Sequence, residues 1–196
     1  MALPSTNVIA AGTPNIQVTG GVLAGPAGTA VPTSVSAVIN AAIKPLGYVS
    51  DDGLEANGDR KIDEIKDWNA DIIAQLQTEH SVKFQFTLYG VFDADVLTEV
   101  FGPDNVSVTP ATTTSGKLIK VTETGSVLPR RVWIFDMKHD QKKVRIVLPN
   151  ASIGEVKENK FEAKTLMGFQ LTVEAFKDDS GIKAYRYYDD GLPTAS

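Results

Sequence analysis

The residue types that most often carry chemistry are few and scattered in this sequence. The chain has 196 residues, no cysteine and two histidines, His80 and His139. Neither histidine has a second His or a Cys at a metal-ligand spacing. The sequence also contains no G-x-S-x-G nucleophile elbow and no phosphate-binding glycine motif. We therefore predict no catalytic, metal-binding or cofactor-binding residue and no enzymatic activity.

The acidic, turn-rich segment 47–59 is the best candidate for a calcium loop. Aligning Gly58 with the glycine that such loops require places Glu64 at the last ligand position, which fits. The same alignment places Gly53 at the first position, where an Asp is needed. The pattern fails at its most important ligand, so calcium binding is not expected.

A basic cluster straddles a predicted turn at Asp140-Gln141 and contains Lys138, Lys142, Lys143 and Arg145. It is either a contact surface for nucleic acid or an acidic neighbour, or a solvated hairpin balanced by Asp136 and Asp140. The net charge of −5 argues against a non-specific grip on nucleic acid. We favour the solvated hairpin.

Hydrophobic periodicity indicates a mainly β chain with one short helix. Apolar and polar residues alternate from Ser81 to Leu88, as in a half-buried strand. Asp93 can cap a helix that Gly102-Pro103 ends, with an apolar face formed by Val96, Leu97, Val100 and Phe101. Further strands are predicted at Val106–Thr109, Lys117–Glu123, Arg131–Met137, Val144–Leu148, Ser152–Glu158, Gly168–Phe176 and Lys183–Tyr187. Trp133, Ile134 and Phe135 are consecutive, so their strand should be covered on both faces, and Asp178–Gly181 is predicted to form a hairpin turn.

Residues 60–79 allow two interpretations. Apolar residues recur at spacings of 3, 3, 4 and 4, which is typical of a helix. The Ile, Trp and Thr content and an Asn in the middle also fit two strands that turn near Trp68-Asn69-Ala70. The pattern alone does not decide between them.

Residues 1–43 carry no charged side chain and are rich in Gly, Ala, Pro, Thr and Val. A solvated disordered tail is usually charged. We therefore interpret 1–43 as an arm that becomes ordered against a neighbouring subunit, followed by one domain over 44–196. Residues 35–43 have a pattern that fits either a short helix or a strand.

Two blocks of the sequence together resemble the major tail protein of long-tailed, non-contractile bacteriophages, which forms the tail tube. The first is 46–102 (LGYVSDDGLEANGD through LYGVFDADVLTEVFG) and the second is 146–188 (IVLPNASIGEVKEN through AFKDDSGIKAYRYY). The resemblance implies a β-sandwich or barrel-like tail-tube fold with one short flanking helix and an extended N-terminal arm. It also favours two strands, rather than a helix, over 60–79.

The resemblance further implies a role for individual segments. The flanking helix would contain Asp93, Val96, Leu97, Val100 and Phe101. Strands lining a lumen would contribute Lys83, Gln85, Thr87, Gln75, Gln77 and Glu79. Contacts between subunits would use Val22, Leu23, Val31, Tyr48, Asp51, Asp52 and Leu54.

As implied partners, copies of the chain would form hexameric rings that stack into a tube. The tube would contact the tape measure, tail terminator and tail tip proteins, and phage DNA would pass through it without specific binding. The chain would be made in the bacterial cytoplasm and reside in the virion. We expect no secretory signal and no membrane insertion, because no basic segment precedes an apolar stretch and no apolar run reaches 18 residues.

Two alternatives remain open. One is a tail terminator or a related secretion-tube subunit, which would need a face that refuses further stacking. The other is a β-sandwich module that binds carbohydrate or peptide through exposed aromatic side chains. Because Trp68 and Trp133 both lie among apolar strand residues in the sequence, we expect them to be buried, which disfavours a binding module.

Overall fold

The computed structural model describes residues 9–15, 21–158 and 163–192 of the chain. Strands dominate these residues, and one α-helix and one short 3-10 helix (Pro103–Asn105) occur among them. The helix is α1 (Ala94–Phe101), and the strands are β1 (Val22–Pro26), β2 (Lys44–Pro45), β3 (Glu55–Asn57), β4 (Arg60–Lys66), β5 (Ile72–His80), β6 (Lys83–Leu88), β7 (Val106–Thr109), β8 (Leu118–Val121), β9 (Arg131–His139), β10 (Lys142–Glu158), β11 (Phe169–Ala175) and β12 (Tyr185–Asp189). The predicted mainly β fold with a short flanking helix is confirmed.

Eight strands form one antiparallel sheet in the order β2-β1-β9-β10-β11-β6-β3, with β12 also paired to β10. The sheet is open, so its edge strands are not paired to each other. The hairpins β4-β5 and β7-β8 form two separate two-stranded sheets. Strand order alone thus leaves several edges of this molecule with free backbone groups.

Strand β10 joins the two halves of the large sheet. Its first half pairs with β9 and β12, and its second half pairs with β11. Two separate strands were predicted here, but one strand of 17 residues is present. Pro149 cannot donate a ladder hydrogen bond, yet it lies where the register shifts between Leu148 and Ala151, so pairing resumes beyond it.

Alternate residues of β9 point into two apolar cores, one on each face of the sheet. Trp133 and Phe135 join the larger core, where Phe84 and Phe86 of β6 contact them at ring-centroid distances of 5.0 to 5.8 Å. Val132 and Ile134 join a smaller core with Leu23, Ile43 and Val147. The prediction that this strand is covered on both faces is confirmed.

Helix α1 covers one side of the larger core. Asp93 caps it by accepting a hydrogen bond from the backbone N–H of Asp95 at 2.9 Å, and Gly102 ends it. Val96, Leu97 and Val100 are buried, and Phe101 meets Phe169 edge-on at 5.6 Å. Glu99 on the same helix pairs with Arg131 at the start of β9 through two side-chain hydrogen bonds. The predicted helix, its cap and its apolar face are confirmed.

The N-terminal segment differs from a continuous arm in one respect. Val22–Pro26 is strand β1, which pairs with β9 and is buried on both faces. Residues 35–43 contain no helix, and the stretch after β1 packs over the smaller core through Val31 and Ile39. Residues 1–8 and 16–20 of the predicted arm lie outside the described residues. The domain boundary at residue 43 stays a prediction.

One predicted turn is present but joins different strands than expected. The backbone N–H of Asp178 donates to the carbonyl of Ile182 at 2.9 Å, which closes the turn at 178–182. The strands on its two sides, β11 and β12, do not pair with each other, because both pair with β10. The hairpin prediction is therefore wrong, although the turn itself is correct.

Candidate assembly surface

The hairpin β4-β5 is exposed along almost its whole length. Every residue of β4 is exposed, and in β5 only Ala74 is partly covered. At its base the backbone N–H of Ser81 donates to the carbonyl of Asp59 at 2.8 Å. At its tip the Asp67 carboxylate accepts from the N–H groups of Asn69 and Asp71. The two-strand interpretation of 60–79 is confirmed.

This hairpin carries large apolar side chains without a core beneath them. Trp68 is 102% exposed at the tip, so the expectation that it is buried is wrong, whereas Trp133 is buried as expected. The other exposed apolar residues are Ile62, Ile65, Ile72, Ile73 and Leu76. Such a concentration of exposed apolar side chains on one hairpin is typical of an interaction surface.

The register of β4-β5 separates the three residues of β5 that were predicted to contribute to lumen strands. Gln75 pairs with Glu64 and Gln77 with Ile62, which lie on one face. Glu79 pairs with Lys61, which lies on the other face, because the register shifts between Lys61 and Ile62.

The three residues predicted for the lumen on β6 do share a face. Lys83, Gln85 and Thr87 lie opposite the core side of the strand and pair across to Glu174, Thr172 and Gln170 of β11. Lys83 and Glu174 form an ion pair at 3.8 Å. Thr87 is buried, so Lys83 and Gln85 are the accessible members of this set.

The seven residues predicted for contacts between subunits divide into two groups. Val22 and Leu23 are 4% and 3% exposed in β1, and Val31 and Leu54 are half-buried. Tyr48, Asp51 and Asp52 are exposed on the loop before β3. Of these seven residues, Tyr48, Asp51 and Asp52 are therefore the most accessible to a neighbouring subunit.

Arg145 was assigned to a solvated hairpin, and this interpretation is wrong. It is buried and forms two hydrogen bonds with the Asp136 carboxylate, at 2.6 and 2.8 Å. Its remaining guanidinium nitrogen donates to the carbonyls of Ser34 and Ala37 at 3.0 and 2.8 Å. Arg145 therefore holds the segment after β1 against the face of the sheet that carries the smaller core.

The described residues contain no group of three or more His, Cys, Asp or Glu side chains able to hold a metal ion. They also include no helix that is both long and apolar enough to cross a membrane. The pKa of Asp178 is lowered because its carboxylate accepts hydrogen bonds from the N–H of Ile182 and from the hydroxyl of Tyr185. That carboxylate stabilises the turn at 178–182, where it also accepts from the N–H of Ser180.

No curated protein matches the sequence. Two solved structures with similar chains are an anti-feeding prophage cap (the tube terminating cap) and the sheath-tube complex of an extracellular contractile injection system. The first is 10% identical with a TM-score of 0.45, covering 93% of this chain and 95% of the other. The second is 9% identical with a TM-score of 0.44, covering 87% and 90%. The family model described as "Phage tail tube protein" matches residues 1–195. Because that match spans nearly the whole sequence, the chain belongs to the phage tail tube protein family.

Proposed function

We propose that this protein is the non-enzymatic subunit of a tail tube in a long-tailed, non-contractile bacteriophage. Copies self-assemble into hexameric rings, and the rings stack into a conduit for DNA ejection. Family membership supports a structural role in the virion tail. The observation that carries the assembly step is the uncovered β4-β5 hairpin.

The hairpin is difficult to account for in an isolated subunit. A two-stranded hairpin without a packing partner is marginally stable in water. Covering a large apolar side chain contributes about 1.5–3 kcal/mol, and this hairpin exposes six such side chains. Burial against a neighbouring copy would stabilise both the hairpin and the assembly.

The open sheet supports the same proposal. Free strand edges favour pairing with another chain, and a closed ring of identical subunits removes such edges. In the ring, the accessible face of β6 would line the lumen, with Lys83 and Gln85 on it, and Gln75 and Gln77 of β5 would extend it. Glu174 pairs with Lys83 and would balance the charge of that lysine on this face.

The remaining assignments follow from this role. The exposed residues 9–14 of the N-terminal arm and the loop containing Tyr48, Asp51 and Asp52 would contact adjacent rings. The tape measure, tail terminator and tail tip proteins would be the other partners. DNA would traverse the lumen without specific binding.

Electron microscopy of the purified chain across a concentration series tests the proposal. The wild-type chain should form rings or hollow tubes. A Trp68→Ala/Leu76→Ala variant should remain folded and monomeric at the same concentrations, because it removes the largest apolar contacts of the hairpin. Val127→Ala, which changes another strongly exposed apolar residue outside the hairpin, serves as the matched control and should assemble normally. Normal tubes from the double variant would show that the hairpin does not carry assembly.

A further inference from the structure

A basic groove lies at the base of the β4-β5 hairpin, between the start of β6 and strand β12. It consists of two adjoining hollows of about 390 and 490 Å³ that share His80, Val82 and Arg186. The basic side chains that line it are Arg60, His80, Lys83, Lys177, Lys183 and Arg186. Asp59 is the one carboxylate among the lining residues.

The positive charge of this groove is mostly unneutralised. Among the described residues, no carboxylate lies within 4.0 Å of Arg60, Lys177 or Arg186. Lys183 donates to the backbone carbonyl of His80, which leaves its charge in place. Only Lys83 has an ion-pair partner, Glu174. On a chain with a net charge of −5, such a concentration of cations is a candidate site for an acidic partner.

An exposed acidic turn lies at the opposite end of β6. Val49 bridges to Leu88, the last residue of that strand, and the N–H of Ser50 donates to the carbonyl of Thr87. Asp51 and Asp52 follow directly and are exposed. The groove instead adjoins Lys83, the first residue of β6. Six strand residues span about 20 Å at roughly 3.3 Å per residue, so the two charged features are well separated on one subunit.

We propose that the basic groove receives the Asp51-Asp52 turn of a second copy of this chain. The contact joins unlike surfaces at opposite ends of β6, so it is head-to-tail and can repeat from copy to copy. Arg and Lys form strong charge-assisted hydrogen bonds with carboxylates. This inference rests on the proposed function, because it identifies the surfaces that connect successive rings of the tube.

The contact is tested first without any need for tube formation. A synthetic peptide of residues 47–57 is titrated into the full chain at a concentration that keeps it monomeric, and amide shifts are followed by NMR. We expect shifts at the groove, and the peptide dissociation constant should rise several-fold between about 50 mM and 500 mM salt, where screening shortens from about 13 to 4 Å. A peptide with Asp51→Asn and Asp52→Asn is the matched control and should lose most of the binding. The proposal would be overturned if no amide shifts appeared at millimolar peptide, or if both peptides gave equal shifts. It would also be overturned if a short oligonucleotide saturated the groove and the peptide did not.

Charge reversal then tests the contact in assembly. Arg60→Glu/Lys177→Glu changes two exposed residues and should leave the fold intact while abolishing stacking. Adding Asp51→Lys/Asp52→Lys in the same chain should restore stacking, since both surfaces are reversed together. If wild-type tubes form and the reversal leaves them unchanged, the tube function stands and the groove contact is wrong. If the peptide binds the groove but no tubes form under any condition, the contact stands and the proposed tube function fails.

Discussion

Replacing Arg145 with alanine should be among the most damaging single changes in this chain. The side chain is buried against Asp136, with charge-assisted hydrogen bonds at 2.6 and 2.8 Å. Removing one member of a buried ion pair leaves the other charge uncompensated, which costs about 3–5 kcal/mol. At about 2–4 °C per kcal/mol for a chain of this length, the melting temperature should fall by about 6–20 °C.

The same substitution also releases the carbonyls of Ser34 and Ala37 from their donor. The segment between β1 and β2 should therefore exchange its amide hydrogens faster than in the wild-type chain. Urea denaturation measures the free energy of unfolding, and hydrogen exchange with mass spectrometry measures the local effect. Lys143→Ala, a half-exposed change on the same strand, is the control and should alter stability by no more than about 0.5 kcal/mol.

A double variant separates the two contributions of Arg145. Replacing a whole buried ion pair with apolar residues is often close to neutral in stability. Arg145→Met/Asp136→Leu should therefore recover most of the lost stability, while exchange near Ser34 and Ala37 stays fast. A loss of less than about 1 kcal/mol in the free energy of unfolding for Arg145→Ala would refute the reasoning, because a buried unpaired carboxylate should destabilise the fold by more than that.

Three further predictions concern the core, the helix and one turn. Glu99→Ala should lower the free energy of unfolding by about 1.5–3 kcal/mol, because Arg131 loses its charged hydrogen-bond partner; a urea titration showing under about 0.5 kcal/mol would contradict this. Phe84→Ala should cost about 3–5 kcal/mol through the cavity it leaves, measured by the same titration. NMR titration should give Asp178 a pKa below its ordinary 3.8 and Tyr185 a pKa above its ordinary 10.0. The ionised Asp178 carboxylate stabilises the fold at pH values above its unfolded-state pKa, and this stabilisation is lost as the pH falls through its folded-state pKa. Wild type and Asp178→Asn should therefore converge in stability only in acid.

Elements set by short-range patterns could be predicted from the sequence. The alternation from Ser81 to Leu88 predicts β6, and the Asp93 cap with a Gly102-Pro103 stop predicts α1 within one residue. Both signals depend on residues only a few positions apart. The same is true of the turn at Asp140, whose positive φ of 54° fits its hairpin position.

The segment 60–79 shows where such patterns fail. Its apolar spacing is helical, yet the chain forms two strands, because Asp67 organises a turn through local hydrogen bonds and Ala70 takes a φ of 67°. The apolar residues of this segment do not pack into a core of the described chain, and in the hairpin they lie on both faces. A pattern that fits neither an amphipathic helix nor a one-sided strand is consistent with a surface that a neighbouring chain completes.

The features missed by sequence reasoning depend on contacts between distant segments. Arg145 lies more than 100 residues from the carbonyls it binds, so no local pattern distinguishes it from the lysines beside it. Strand β1 looked like a glycine-punctuated arm, and only its pairing with β9 makes Val22 and Leu23 core residues. The groove likewise combines Arg60 with Lys183 and Arg186 from the other end of the chain.

These features indicate how the subunit divides its stability between folding and assembly. The two cores and the buried Arg145–Asp136 pair involve the large sheet and the segment fastened to it, so they are complete in a single chain. The hairpin, most of the basic groove and the Asp51-Asp52 turn lie outside those cores, and among the described residues few partners match their apolar or charged character. A subunit built in this way can fold before it assembles, because the surfaces that need a neighbour contribute little to the core. In the proposed tube, the apolar hairpin and the separated charges would make association favourable and directional, which is what repeated stacking of identical subunits requires.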